Sequence, residues 1–210
     1  MSDWVRKRFD GVGLTQSPPG PHFTAVQAKY RGAVLLCIDV SGSMLGTRLE
    51  QAMAGGKQFL AEAFSADYDC GLVLWHHGVE AYLPVGTSAE RLLTRLDEPV
   101  GSGGTDLVPT LELAKRDLAP LTVDRVFCVF GDGDVGDAQR ARVLARELCL
   151  KGVRIVVRGL GQGAASALSS LVCEGVRDEE RLITDEQSIS AGIASMAKGL
   201  TTGRSAITRR

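Results

Sequence analysis

Residues 33–44 read AVLLCIDVSGSM. An unbroken apolar run from Ala33 to Ile38 ends in Asp39, and a polar turn containing Gly42 follows at once. A strand with one face in water alternates apolar and polar residues. One that does not alternate is buried on both faces, as in the middle of a parallel sheet covered by helices. Immediately downstream, Thr47–Phe64 carries Leu49, Met53, Leu60 and Phe64 at helical spacing. The opening unit is therefore strand, tight turn, helix.

Working outward, the alternation continues. Cys70–Trp75 and Val79–Leu83 read as two strands joined by His76, His77 and Gly78, which is a hairpin. Ser88–Leu96 reads as a helix with Ser88 as its cap, and Asp106–Leu118 as another. Arg125–Phe130 is a second buried strand, followed by a helix over Gly136–Leu150. A strand at Val153–Arg158, a helix at Ala164–Leu171, a short strand at Arg181–Thr184 and a closing helix at Glu186–Lys198 complete the series. This order predicts an α/β domain with a doubly wound, Rossmann-like, mostly parallel six-stranded sheet. One antiparallel strand lies at its edge, and helices cover both faces. Residues 1–30, broken by Gly11, Gly13, Pro18, Pro19, Gly20 and Pro21, read as an irregular arm. Residues 31–198 form the domain, and residues 199–210 read as a flexible tail.

Composition narrows the function classes. The 210 residues carry a net charge of −1 and only 5% aromatic side chains. Neither a basic footprint nor a base-stacking surface for nucleic acid is present. The segment MSDWVRKRFDGVG has charges but no following apolar run, so it does not read as a secretory signal. No stretch is long and apolar enough to span a bilayer. The five cysteines form no C-x-x-C pair, and their odd number suits no closed disulfide framework. Cys37 and Cys128, inside apolar strands, read as small reduced hydrophobes. The expected compartment is cytoplasmic.

In doubly wound folds, ligands bind at the carboxyl ends of the strands. Three polar clusters fall there or in a helix-opening loop. They are Asp39-Val40-Ser41-Gly42-Ser43, Gly101-Ser102-Gly103-Gly104-Thr105-Asp106, and Gly131-Asp132-Gly133-Asp134. Carboxylate and hydroxyl oxygens suit a small hard cation such as Mg²⁺ or Mn²⁺. The i, i+2, i+4 spacing of Asp39, Ser41 and Ser43 can aim three side chains at one point around Gly42. Two carboxylates roughly cancel a +2 ion and hydroxyls add no charge, so the ion would still accept an anionic oxygen from outside.

The segments IDVSGSM at Ile38–Met44, GGTDL at Gly103–Leu107 and VFGDG at Val129–Gly133 resemble the metal-ion-dependent adhesion site (MIDAS) of von Willebrand factor A (vWA) domains. The resemblance spans about residues 31–198. It implies a metal held directly at Ser41, Ser43 and Thr105, with largely water-mediated support from Asp39 and Asp132. It also implies no catalysis, and a protein partner that supplies an Asp or Glu to the metal. Intracellular bacterial members often work beside AAA+ ATPases of the MoxR type, or in multi-component stress and defence systems. Gly131 stands where the family usually has Thr, which predicts a slightly looser loop.

Other readings compete. Asp39 after a buried strand also resembles the nucleophile of metal-dependent haloacid-dehalogenase-type phosphatases, although Ser41 stands where their second acid would be. Gly159-Leu160-Gly161-Gln162-Gly163-Ala164, with Asp185 downstream, fits a dinucleotide fingerprint but follows a late strand instead of the first. His76 and His77 fall in a hairpin turn expected to lie away from the crevice. Asp106, Asp134 and Asp137 read as solvated loop and helix-start carboxylates. The sequence does not indicate an oligomeric state.

Overall fold

Gly32–Asp39 forms β1, and every residue of it is buried. In the computed structural model, which describes residues 31–98, 103–174 and 181–200, this strand is central in a six-stranded sheet of order β3-β2-β1-β4-β5-β6. The other strands are β2 (Tyr68–Trp75), β3 (Val79–Leu83), β4 (Arg125–Gly131), β5 (Val153–Leu160) and β6 (Leu182–Ile183). All pair in parallel except β2 with β3, the edge hairpin. The helices are α1 (Thr47–Ser65), α2 (Ala89–Asp97), α3 (Val108–Leu118), α4 (Ala138–Leu150), α5 (Gly161–Ser169) and α6 (Ile189–Ser195). The expected α/β class and sheet are thus present. The arm at residues 1–30, the chain beyond residue 200, and Gly101 and Ser102 lie outside the described residues.

Side chains alternate across a strand, so β1 feeds two cores. Val34, Leu36 and Ile38 pack with Phe59 and Leu60 of α1, Leu92 and Leu96 of α2, and Ile189 and Ile193 of α6. Ala33, Leu35 and Cys37 pack on the other face with Leu111 of α3, Leu144 and Leu148 of α4, and Leu168 of α5. Each fully buried Leu or Ile contributes about 1.5–3 kcal/mol, so truncating Leu36 at the sheet centre would remove one such share from the larger core. The Gly55-Gly56 pair seats α1. A Cβ at Gly55 would lie 2.7 Å from the Ser190 carbonyl oxygen, and one at Gly56 would lie 2.7 Å from Ile38 Cδ1.

Several boundaries differ from the sequence reading for local reasons. α3 begins at Val108, after Asp106 Oδ1 accepts the Val108 N–H at 3.0 Å and Pro109 enters the first turn. α4 begins at Ala138 with Asp137 as its cap, accepting the Arg140 N–H at 3.0 Å. The expected closing helix divides into a 3₁₀ turn at Glu186–Ser188 and the shorter α6. Leu200, read as tail, is buried, and its carbonyl accepts the Tyr68 hydroxyl at 2.8 Å.

Cys149 at the end of α4 is joined to Cys173 in a disulfide, a bond that the odd number and the spacing of the cysteines did not suggest. The two cysteines lie 24 residues apart in sequence and meet only because α4, β5 and α5 fold back on each other. Such bonds persist in oxidising surroundings, so the thiols no longer support a cytoplasmic compartment. Among the described residues no helix is long and apolar enough to cross a membrane. Cys37, Cys70 and Cys128 are buried and take no part in a disulfide. Burial pushes the Cys70 thiol up to about 12 and Cys37 well above its usual range, as inert core thiols require.

Candidate metal centre

β1 and β4 run side by side in parallel, with Ile38 opposite Phe130, so Asp39 and Asp132 emerge together at one edge of the sheet. This is where the strand order switches, with β2 on one side of β1 and β4 on the other. Connections that diverge at such a point leave a crevice.

Asp39 is fully buried. Its Oδ1 accepts the Ser41 N–H at 2.8 Å, closing a local turn of the kind Asp favours. Its Oδ2 is buried and has no hydrogen-bond donor among the described residues. Burial pushes this carboxyl up to about 6; hydrogen bonds from Ser41 oppose the rise and the like charge of Asp132 adds to it. A buried carboxylate with half its partners missing is expensive, and a cation against the bare oxygen would relieve that cost.

A 3₁₀ turn at Gly42–Met44 swings Ser43 round beside Ser41, with the two hydroxyl oxygens 3.1 Å apart. Ser43 Oγ donates to Asp132 Oδ1 at 2.8 Å. The Gly42 N–H donates to the Gly103 carbonyl at 3.1 Å, tying the first loop to the one that carries Thr105. Thr105 in turn faces the third loop, since a Cβ on Gly133 would lie 4.0 Å from its Oγ1. The structure therefore brings four of the five residues singled out in the sequence into direct contact and places the fifth, Thr105, beside the third loop. Asp39, Ser41, Ser43 and Asp132 form one chain of hydrogen bonds, and Thr105 joins through the glycines.

This donor set fits a small hard dication. It offers two carboxylates and three hydroxyls, with one carboxylate oxygen buried and unpaired. Among the described residues no three His, Cys, Asp or Glu side chains gather where they could hold a metal. An ion here would therefore rest on mixed carboxylate and hydroxyl oxygens, its charge roughly cancelled by the two carboxylates.

Three features escaped the sequence reading. Arg48, in the first turn of α1, points its guanidinium back at the site, with Nη1 3.3 Å from both Asp132 Oδ2 and the Ser43 carbonyl. Its Nε also donates to Glu186 Oε1 at 2.6 Å. The i+4 step from Met44 to Arg48 across a tight turn was the available signal, but nothing local distinguishes it from a solvated helix-start cation. Second, His76 and His77 do not lie away from the crevice. The His76 carbonyl accepts the Asp106 N–H at 2.8 Å, and the His77 ring occupies the space that a Cβ on Gly103 would need. Because β2 is parallel to β1, the hairpin leaving its carboxyl end must open on the site. Third, Gly131 does not loosen its loop: a Cβ there would lie 3.2 Å from both Asp39 Oδ2 and Trp75 Cζ2, so the Trp75 indole fills that space.

The remaining motifs serve the scaffold. Asp106 and Asp137 accept N–H groups at the starts of α3 and α4, and Asp134 Oδ1 accepts the Val135 N–H at 2.6 Å. Gly159 of the dinucleotide-like segment lets α5 press on β5, because a Cβ there would collide with the Ala165 backbone. Asp185 accepts the Ser188 N–H at 2.9 Å.

Residues 34–134 match the family model described as the von Willebrand factor type A domain. The chain carries a vWA domain. Solved structures agree at the level of fold. The vWA domain resembles proximal thread matrix protein 1 from the mussel byssus at 15% identity and a TM-score of 0.67, covering 82% of this chain and 48% of that one. It resembles the corresponding domain of the type V pili tip protein Mfa5 from Porphyromonas gingivalis at 14% identity and a TM-score of 0.67, covering 83% of this chain and 96% of that one. A von Willebrand factor type A protein from Catenulispora acidiphila aligns at 16% identity and a TM-score of 0.62, covering 82% of this chain and 43% of that one. The chain thus spans about half the length of the mussel protein and less of the Catenulispora one. Another structure of the mussel protein, at 18% identity and a TM-score of 0.63, has a zinc-occupied MIDAS motif; it covers 81% of this chain and 46% of that one. No curated relative matches the sequence.

Proposed function

We propose that this vWA domain is a metal-dependent protein-interaction module. It holds one Mg²⁺ or Mn²⁺ ion at Asp39, Ser41, Ser43, Thr105 and Asp132 and grips a carboxylate presented by a partner protein. The observation that carries this reading is the bare, buried Oδ2 of Asp39 together with the paired Ser41 and Ser43 hydroxyls, which reach Asp132. A cation is the group that would satisfy it. The zinc-occupied motif of the mussel protein supports a divalent ion at the equivalent place. Hard oxygen donors favour Mg²⁺ or Mn²⁺ over zinc, which prefers nitrogen and sulfur. Here the metal would supply positive charge to an incoming carboxylate, and the protein's residues hold and orient it.

A phosphatase reading fares worse on the same geometry. Asp39 is fully buried, its Oδ1 is engaged by the Ser41 backbone, and Ser41 stands where that chemistry needs a second acid. The test is a calorimetric Mn²⁺ titration of wild type and Ser41→Ala, followed by capture of binding proteins in Mn²⁺ and in EDTA. One-site Mn²⁺ binding that Ser41→Ala weakens at least tenfold, with capture lost in EDTA, is the expected result. Capture that persists unchanged in EDTA would overturn the proposal.

A further inference from the structure

The Arg48 guanidinium lies between two acids on different parts of the chain. One is Asp132, whose side chain is almost fully buried in the site, and the other is Glu186, half-exposed in the 3₁₀ turn that leads into α6. Arg48 Nη1 is 3.3 Å from Asp132 Oδ2, the oxygen that Ser43 does not use, while Nε is held by Glu186 at 2.6 Å. Asp132 thus has both oxygens engaged, one by a hydroxyl and one by a cation, while Asp39 Oδ2 has neither. A permanent positive charge already sits against one of the two carboxylates that an arriving dication would use.

We propose that Arg48 is a tethered internal cation that competes with the divalent ion for Asp132, and that Glu186 sets the strength of that competition. The inference rests on the metal reading above and assigns a regulator to the same site. The physics is electrostatic. A dication drawn to Asp39 and Asp132 repels the guanidinium, and Glu186 holds it as it leaves. The stronger the bond to Glu186, the less it costs Arg48 to release Asp132. Because Glu186 opens the segment that becomes α6, metal arrival and the position of that segment are coupled in both directions. A partner that pulled Glu186 away would return Arg48 to Asp132 and weaken the ion's hold.

The test is a double-mutant cycle on Mn²⁺ affinity, read by calorimetry at low salt in wild type, Arg48→Gln, Glu186→Gln and the double variant. Thermal melting in EDTA serves as a metal-free readout. Arg48→Gln should bind Mn²⁺ about fivefold more tightly, the scale of a partly exposed ion pair. Glu186→Gln should bind more weakly by a similar factor, and the double variant should match Arg48→Gln. In EDTA, Arg48→Gln should melt below wild type, because Asp132 then faces Asp39 without compensation, and added Mn²⁺ should erase the difference.

If Glu186→Gln weakens binding equally with and without Arg48, it acts through space and the relay is overturned. Unchanged affinity in Arg48→Gln, with wild type binding Mn²⁺, overturns this inference and leaves the metal reading standing. No Mn²⁺ binding by any of the four proteins overturns both.

Discussion

Replacing Asp39 by Asn keeps its shape and removes its charge, which separates what this carboxylate costs the fold from what it offers a metal. Burial raises its carboxyl from 3.8 to about 6, roughly two pKa units, or about 3 kcal/mol. The folded-state value lies above the unfolded one. The penalty is therefore absent in acid, grows as pH rises through the folded value, and is complete at about pH 7.5. Asn would abolish it. The Asn carbonyl can still accept the Ser41 N–H, but its amide then occupies the place of Oδ2, where no acceptor is evident, at a cost of about 1–2 kcal/mol. The net expectation in EDTA is a stabilisation of about 1–2 kcal/mol, or roughly 2–8 °C in Tm for a domain of this size. Excess Mn²⁺ should reverse the order. At a hundredfold excess over its Kd, an ion stabilises wild type by about 2.7 kcal/mol and leaves the Asn variant where it was. The assay is thermal melting of both proteins at about pH 7.5, with EDTA and with Mn²⁺. An Asn variant that melts earlier than wild type in EDTA, or that gains as much from Mn²⁺, would refute the reasoning.

Other expectations follow from packing. Gly131→Ala inserts a methyl 3.2 Å from Asp39 Oδ2 and Trp75 Cζ2, and should cost about 1–3 kcal/mol in urea denaturation; adding Trp75→Phe, which trims the indole, should recover part of the loss. Reducing the Cys149–Cys173 bond releases a loop spanning 24 residues and should lower stability by about 3 kcal/mol, seen as a drop in the urea midpoint with reductant. Gly159→Ala, which meets the Ala165 backbone, should destabilise by at least about 2 kcal/mol, while Gly163→Ala, open to solvent on α5, should stabilise by about 0.5–1 kcal/mol. Equal effects of the two would show that Gly159 has no packing role.

Much of the architecture was legible because its signals are local. Period and burial are written into consecutive residues, so AVLLCID declares a central strand, and alternation with amphipathic stretches declares a doubly wound sheet. The five candidate ligands could be named for the same reason: each follows a strand or opens a helix, and such ends converge at one edge of a parallel sheet. Helix ends were less legible. Asp106, Asp137 and Asp185 each engage a backbone N–H that starts a helix or turn, and sequence alone does not say which of several acids will do so.

What the tertiary structure alone decided is everything that depends on two distant segments meeting. Cys149 finds Cys173, Arg48 bridges Asp132 and Glu186, Trp75 fills the space left by Gly131, and the His76–His77 turn packs against the Gly103 loop. None of these pairs is marked by spacing or composition, because strand order, not chain order, makes them neighbours. The bare oxygen of Asp39 belongs to the same class. Its burial is the sum of atoms from many elements, so it exists only once the chain has folded.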